Sequence, residues 1–287
     1  MNEKLLQEYE QSLRFRGLTP KSVKAYLTYI RYYLVFMAEI LLKPIEESDW
    51  NDKRHFIEWI QEERNLSDRT VNHIISELKS FTIYQEHKPW DDSQLPRRRF
   101  DTYIPYVPSL EDTLYFIDTI PDTRDKAMLS LLYSAGLRIG ELCHLKYGDI
   151  LGRKKLIHIT EAKNRHDRYA LLSDRALEIL IRYWYEYGKP MDWLFPGLRD
   201  KTKPIGTSYL RNRIHEHEDR LGWERKLSCH SFRHALGTHL YEAGNDLFSI
   251  QKVLGHRSLR STLIYITLSN KVLSEIKNPF DSLSGDK

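Results

Sequence analysis

Cysteine is scarce in this sequence: Cys143 and Cys229 are the only two among 287 residues. Two thiols cannot build the disulfide framework on which small secreted proteins depend, and we therefore expect an intracellular, cytoplasmic protein. Long apolar runs are also missing, since no stretch reaches the roughly 18 apolar residues that a membrane-spanning helix needs. The first residues are charged and lack the apolar core of a signal peptide. The sequence thus argues against a secreted disulfide scaffold and against a membrane protein.

Charge is abundant but only slightly unbalanced. The chain has 41% hydrophobic and 29% charged residues, typical of a globular protein, and a formal net charge of +4. Three short basic islands, at 96–99, 152–155 and 163–168, fall in expected loops. Each alone is most simply a solvated surface, but together they favour a polyanionic partner such as nucleic acid. The candidate DNA-binding residues are Arg97, Arg98, Arg99, Arg165 and Arg168.

Residues 1–88 have the pattern of a small helical domain. Thr19 followed by Pro20 is an N-cap with proline at the first helical position, and apolar residues then recur at helical spacing. Asp49 and Ser67 are the expected caps of two further helices. Together with an opening amphipathic helix, these segments predict a four-helix bundle.

A polar stretch with four prolines, residues 89–108, predicts a linker before a second domain at 109–287. The strand patterns at 156–160 and 169–172 predict a small antiparallel β-sheet with a basic turn at 161–168. The expected fold is therefore mainly α with a small β-sheet, in two domains. Helical periodicity covers 110–119, 123–135, 139–146, the segment after Asp174, 207–221, 231–243, 246–254 and 259–276.

Arg138 interrupts an apolar stretch, A-G-L-R-I-G-E-L at 135–142. Its neighbours predict partial burial, and a buried cation needs an anionic partner. Glu141, three residues further along the same helical face, is one candidate for that partner. An external anion is the alternative.

A second polar cluster, S-C-H-S-F-R-H at 228–234, lies at an expected helix start. His230 and Arg233 are three residues apart and therefore face one side near the helix N-terminus, where backbone N–H groups also favour an anion. An arginine fork beside an imidazole suits two oxygens of a phosphate. Zinc binding by His230 and His234 is the competing hypothesis, but Ser231 stands where a metalloprotease helix carries glutamate.

The third cluster is L-G-H at 254–256, which is followed nine residues later by Tyr265. Most tyrosines are packing residues, so Tyr265 taken alone favours that role. In their order along the chain, however, the three clusters and this tyrosine resemble the tyrosine recombinases, or phage-type integrases. The stretch L-T-P-K-S-V-K-A-Y-L at 18–27 also resembles the start of the helical core-binding domain of that family. The resemblance covers nearly the whole chain.

The resemblance implies a catalytic set made of Arg138, Lys163, His230, Arg233, His256 and the nucleophile Tyr265. Lys163 is matched through the turn of the small sheet, where Glu161 and Ala162 replace the glycines usual in the family. Arg165 and Arg168 are the nearby alternative cations. No metal or other cofactor is implied. The implied partner is a double-stranded DNA recombination site, bound by a homotetramer or by a heterotetramer with a related recombinase, with a Holliday-junction intermediate.

Several questions stay open at the level of sequence. A type IB topoisomerase-like enzyme and a DNA-binding accessory protein that does not cut are the main alternative functions, and a metal-dependent hydrolase is a more distant one. The segment 266–280 is expected to pack either on a neighbouring subunit or on its own domain. Leu263 and Ile264 are expected to be buried, holding Tyr265 where its hydroxyl reaches a phosphate.

Overall fold

The computed structural model describes residues 2–87, 89–100, 105–160 and 167–269. The chain divides into two compact units, Met1–Tyr103 and Ile104–Lys287. None of the helices in the described ranges combines the length and the apolar character that crossing a bilayer requires.

The first unit is a bundle of four helices, as the sequence predicts. Its caps are confirmed: the side chains of Thr19, Asp49 and Ser67 each accept a hydrogen bond from a backbone N–H in the first turn of the helix that follows. Aromatic and branched side chains from all four helices form its core. The helices are α1 (Asn2–Phe15), α2 (Pro20–Val35), α3 (Trp50–Arg64) and α4 (Asp68–Glu86).

Part of the predicted linker packs on this first unit. Leu95 is buried in its core, and the backbone N–H of Arg98 donates to the Asn72 side-chain oxygen at 2.8 Å. The Asn72 amide donates back to the Arg98 carbonyl at 2.9 Å. Residues 89–100 therefore lack regular secondary structure but have fixed contacts.

The second unit is mainly helical, with one three-stranded antiparallel sheet in the order β1-β2-β3. Helix α6 is central and packs against both α8 and α10. The two predicted strands are confirmed to within one residue. The elements are α5 (Leu110–Asp118), α6 (Thr123–Ser134), α7 (Ile139–Cys143), β1 (Ile150–Leu151), β2 (Leu156–Ile159), β3 (Arg168–Leu171), α8 (Asp174–Glu186), α9 (Thr207–Leu221), α10 (Cys229–Glu242), α11 (Leu247–Leu254) and α12 (Ile264–Leu268).

The predicted helix at 259–276 is wrong over its first part. The chain forms a short 3₁₀ turn, Leu259–Ser261, and then the five-residue helix α12. The Ser258 hydroxyl accepts from the Arg260 backbone N–H, a local bond that competes with a continuous helix. Residues 270–276 lie outside the described residues.

Candidate active site

Arg138 is the N-cap residue of α7 and is fixed by Glu141. Its guanidinium Nη1 donates to Glu141 Oε1 at 2.6 Å, and its backbone N–H donates to Glu141 Oε2 at 2.9 Å. The ion pair expected from the sequence is therefore present. The Arg138 side chain remains partly exposed, whereas that of Glu141 is buried. Arg138 is thus held from one side and is open to solvent on the other.

Arg233 on α10 is buried, with 2% of its surface exposed. Its Nη2 donates to the Leu254 carbonyl at 2.6 Å, and its Nη1 donates to the Gly136 carbonyl. Among the described residues no carboxylate lies within ion-pair distance of it. Burial and the charge of Arg138 lower its pKa to about 10, so the group stays charged at neutral pH. A buried guanidinium paired only with carbonyls leaves net positive charge to attract an anion.

His230 lies in the first turn of α10. Ser228 caps this helix, because its side chain accepts a hydrogen bond from the Ser231 backbone N–H. Unlike Arg233, His230 is exposed. Although the residue is exposed overall, partial loss of hydration of the imidazole and the charges of Arg233 and Arg138 lower the pKa of His230 below its usual value. His230 is therefore a neutral imidazole at neutral pH, able to accept a proton.

His256 follows Gly255, whose φ of +63° ends α11 and turns the chain. His256 Nδ1 lies 3.0 Å from the hydroxyl oxygen of Thr262, which is fully buried. Burial and the charges of Arg233 and Arg138 lower the pKa of His256 to about 4. A neutral imidazole that accepts from Thr262 at Nδ1 carries its proton on Nε2, where it is available to a phosphate oxygen.

Thr262 gives a first prediction. Replacement of Thr262 with valine, which keeps the shape but removes the hydroxyl, should slow DNA cleavage about 10-fold because the His256 tautomer and ring orientation are no longer fixed. Thr262→Ser keeps the hydroxyl and should stay within about threefold of the wild type. Single-turnover rates of covalent protein–DNA adduct formation measure both, and equal rates for valine and serine would disprove this role.

Tyr265 is buried on α12, with 1% of its surface exposed. Its ring lies so close to Gly237 of α10 that a Cβ at position 237 would overlap it. The ring is parallel to that of His256, with centroids 6.1 Å apart. Burial raises the pKa of Tyr265 to about 12, against the opposing charges of Arg233 and Arg138. The tyrosine is therefore neutral and enclosed in this conformation.

The expectation for the residues beside the tyrosine is wrong for Leu263, which is 43% exposed, while Ile264 is partly buried. Tyr265 occupies the face of α12 that packs on α10. Residues two apart on a helix do not share a face, so Leu263 points elsewhere. The buried residue of this segment is therefore Tyr265 itself and not Leu263.

The sequence predicts His234 only as a possible metal ligand, but in the structure it lies between His230 and Tyr265. The ring centroids are 4.4 Å from His230 and 6.1 Å from Tyr265. Its Nδ1 is buried without a hydrogen-bond partner among the described residues. Within those ranges, no group of three His, Cys, Asp or Glu side chains is arranged to hold a metal ion. The spacing of four residues from His230 was the sequence signal for this contact.

These histidines make stability depend on pH. Burial lowers the pKa of both His234 and His256 to about 4, whereas an unfolded histidine titrates near about 6.5. Between these values the unfolded chain binds more protons, so the free energy of unfolding should decrease as pH falls through that window, by up to about 3 kcal/mol for each histidine. His234→Gln should make the decrease shallower in urea titrations at several pH values.

The exposed His55 of α3 provides a matched control for that experiment. His55→Gln should keep the full pH dependence of the wild type. A decrease that is equally steep in His234→Gln and in the wild type would contradict the assignment of the pH dependence to the buried histidines.

The predicted DNA-binding arginines have different surroundings. Arg97 donates to the Ser76 hydroxyl at 3.0 Å, Arg98 lies 3.3 Å from Asp68, and Arg99 is exposed. Arg168 differs from the expectation, because its side chain turns inward from the start of β3 and is only 13% exposed. Two further predicted residues, Lys163 and Arg165, lie outside the described residues.

Each of the two units matches a known protein family or domain. The phage integrase family matches residues 110–271, and the phage integrase N-terminal SAM-like domain matches residues 5–92. A tyrosine recombinase of Pseudothermotoga lettingae is 29% identical, covering 92% of this chain and 93% of the relative. Tyrosine recombinase XerD of Staphylococcus aureus is 25% identical, covering 97% and 98%.

Among solved structures, XerH site-specific recombinase bound to palindromic difH substrate, in a post-cleavage complex, has a TM-score of 0.72 at 20% identity. The matched region covers 91% of this chain and 80% of the XerH chain, and the similarity supports the fold described above. The chain belongs to the phage integrase family. It is a tyrosine-type site-specific recombinase, an enzyme that breaks and rejoins DNA strands. The predicted family and fold class are thereby confirmed.

Proposed function

We propose that Tyr265 is the nucleophile with which this recombinase cuts DNA, and that Arg138, Arg233, His230 and His256 form the site for the scissile phosphate. The observation that carries the proposal is their convergence. The Arg233 guanidinium bonds the carbonyls of Gly136 and Leu254, which lie two residues before Arg138 and His256, and the His256 ring is parallel to the tyrosine ring. These side chains come from the start of α7, from α10, from the turn after α11 and from α12.

The reaction forms one bond to phosphorus and breaks another. The Tyr265 oxygen attacks the phosphodiester and gives up its proton, for which the neutral His230 is our candidate acceptor. The bond from phosphorus to the 5′ oxygen breaks, and that oxygen takes a proton from a general acid, the role that we assign to Lys163. The products are a 3′-phosphotyrosyl ester and a free 5′ hydroxyl. Because the phosphotyrosyl ester conserves the energy of the broken phosphodiester bond, a 5′ hydroxyl can attack the ester and rejoin the DNA strand without ATP.

The two arginines supply the electrostatic part of the proposed catalysis. Negative charge accumulates on the non-bridging oxygens as phosphorus becomes five-coordinate, and guanidinium forks can donate paired N–H groups to those oxygens. The buried Arg233 is fixed by two carbonyls and Arg138 by a carboxylate, so both guanidiniums are held in place before the phosphate arrives. His256 adds a donor through Nε2.

The enclosed tyrosine adds a step before chemistry. A phenol with a pKa of about 12 inside a protein is neither ionised nor accessible to a phosphate. Tyr265 must therefore move away from Gly237 before it attacks, and the positive charges at the phosphate would then favour its ionised form. The short α12 is the element that has to shift.

For the larger assembly we propose a DNA-binding domain at 1–88, a linker at 89–108 and a catalytic domain at 109–287. Strand exchange between two duplexes calls for a tetramer on DNA and a Holliday junction. The solved complex of XerH with its difH substrate supports a DNA site as the partner. The segment from 270 onward, expected to pack in cis or in trans, lies outside the described residues. The DNA substrate and two free, buried cysteines support the cytoplasm as the compartment.

The proposal is tested with a suicide DNA substrate, nicked so that religation is blocked, that carries a site selected by the protein from random duplexes. We expect a denaturation-resistant protein–DNA adduct at that site. No adduct would contradict active recombination and favour a non-cutting accessory role. Relaxation of supercoils without site preference would favour a topoisomerase-like enzyme, and cleavage abolished by a chelator would favour metal-dependent hydrolysis.

A further inference from the structure

Arg168 is a partly buried cation that touches two parts of the candidate site. It is the first residue of β3, and its side chain is 13% exposed. Its Nη2 donates to Glu141 Oε2 at 2.9 Å, and its Nη1 donates to the Val253 carbonyl at 3.3 Å. The same guanidinium therefore contacts α7 and the last turn of α11.

The first contact changes the charge balance around Arg138. Glu141 accepts from Arg138 through Oε1 and from Arg168 through Oε2. With one arginine, the carboxylate would neutralise the cation that has to attract the phosphate. With two, the three groups carry a net positive charge, and each carboxylate oxygen has its own guanidinium partner. Although burial acts in the opposite sense, the two arginines hold the pKa of Glu141 below its usual value.

The second contact fixes the turn that carries His256. The last carbonyls of a helix have no partner within the helix, and cations near them are stabilising. Arg168 takes the Val253 carbonyl and Arg233 takes the Leu254 carbonyl, immediately before Gly255. The Arg168 side chain also occupies the space where a Cβ of residue 255 would lie, at 2.8 Å from its Nε. The turn is therefore held in place by two guanidiniums.

We propose that Arg168 is a positioning residue of the cleavage reaction, which sets the places of Arg138 and His256 against the scissile phosphate without itself contacting DNA. This inference rests on the proposed function. It replaces the expectation that Arg168 is a DNA-binding residue, because its donors are directed to Glu141 and Val253 and its side chain is enclosed. A displacement of either contact by about 1 Å is enough to slow a reaction about 100-fold.

The test compares Arg168→Lys and Arg168→Gln with the wild type on the selected site. Lysine keeps the charge but cannot donate to Glu141 and Val253 in the planar fork. We expect both variants to bind DNA within about twofold of the wild type, with an unchanged salt dependence, and to form the adduct about 10- to 100-fold more slowly. First-order rate constants are compared, so that partial unfolding lowers the amplitude and not the rate. Arg175→Lys, at an exposed ion pair with Asp118, is the matched control and should react normally.

A second substrate separates positioning from a merely structural role. A methylphosphonate at the scissile position removes the charge that Arg138 stabilises, so the deficit of the Arg168 variants should shrink at least about threefold on it. An equal deficit on both substrates would assign Arg168 to structure alone. If the slope of the logarithm of the DNA-binding constant against the logarithm of salt concentration became shallower by about one in the variants, Arg168 would be shown to contact DNA. Normal rates in both variants would overturn the inference, whereas absence of adduct in the wild type would overturn the proposed function instead.

Discussion

Replacement of Tyr265 by phenylalanine is expected to abolish the covalent adduct and strand exchange, with a loss of at least about 10³-fold in the rate of cleavage. The substitution removes the attacking oxygen and leaves the ring. The fold should be kept, since the Tyr265 hydroxyl has no hydrogen bond among the described residues and the ring still fills the space beside Gly237. Stability should change by less than about 1 kcal/mol, and DNA affinity should stay within about twofold.

A second buried tyrosine in the same unit provides the control. Tyr183 of α8 is fully buried and donates to the Leu194 carbonyl at 2.8 Å. Tyr183→Phe should cost about 1 kcal/mol in stability through that lost bond and should leave adduct formation intact. Adduct formation by Tyr265→Phe at the wild-type rate would disprove the assignment of the nucleophile.

Arg138→Met has the second largest expected effect. Loss of one preorganised donor to a developing oxyanion costs about 10²- to 10³-fold in rate, and we expect a decrease of that size in single-turnover cleavage at saturating DNA. The fold should survive because Glu141 keeps Arg168 as its partner at 2.9 Å. Arg138→Lys should recover part of the rate, since it restores the charge but not the fork.

Arg175→Met serves as the control for the Arg138 variants, because Arg175 is an exposed arginine of the same unit with a single carboxylate partner. It should cleave within about twofold of the wild type, as expected for a surface ion pair. A decrease of less than about threefold in Arg138→Met would contradict a direct role on the phosphate.

Local sequence signals predict most of the helices and two of the three strands. Thr19, Asp49 and Ser67 cap helices as expected because an N-cap side chain needs only its own first turn. The strands around the basic turn follow from alternation within four or five residues. β1 was missed because two residues are too few to show a period.

The positions that depend on packing between distant segments could not be predicted in the same way. The sequence predicts Arg168 as a DNA-binding residue, but its partners Glu141 and Val253 are 27 and 85 residues away in the chain. The burial of Tyr265 depends on the missing side chain of Gly237, which no local pattern around the tyrosine reveals. Periodicity identifies which residues share a helix face, and the tertiary fold decides which side chains that face meets.

The most direct test of the central claim is to identify the amino acid that is joined to DNA. Trypsin cleavage after Arg260 and Lys271 releases residues 261–271, a peptide that contains Tyr265 as its one tyrosine. After digestion of the trapped adduct with nuclease and trypsin, mass spectrometry should find this peptide with a 3′-linked nucleotide on Tyr265. A nucleotide on any other residue, or the unmodified peptide alone from a confirmed adduct, would contradict the account.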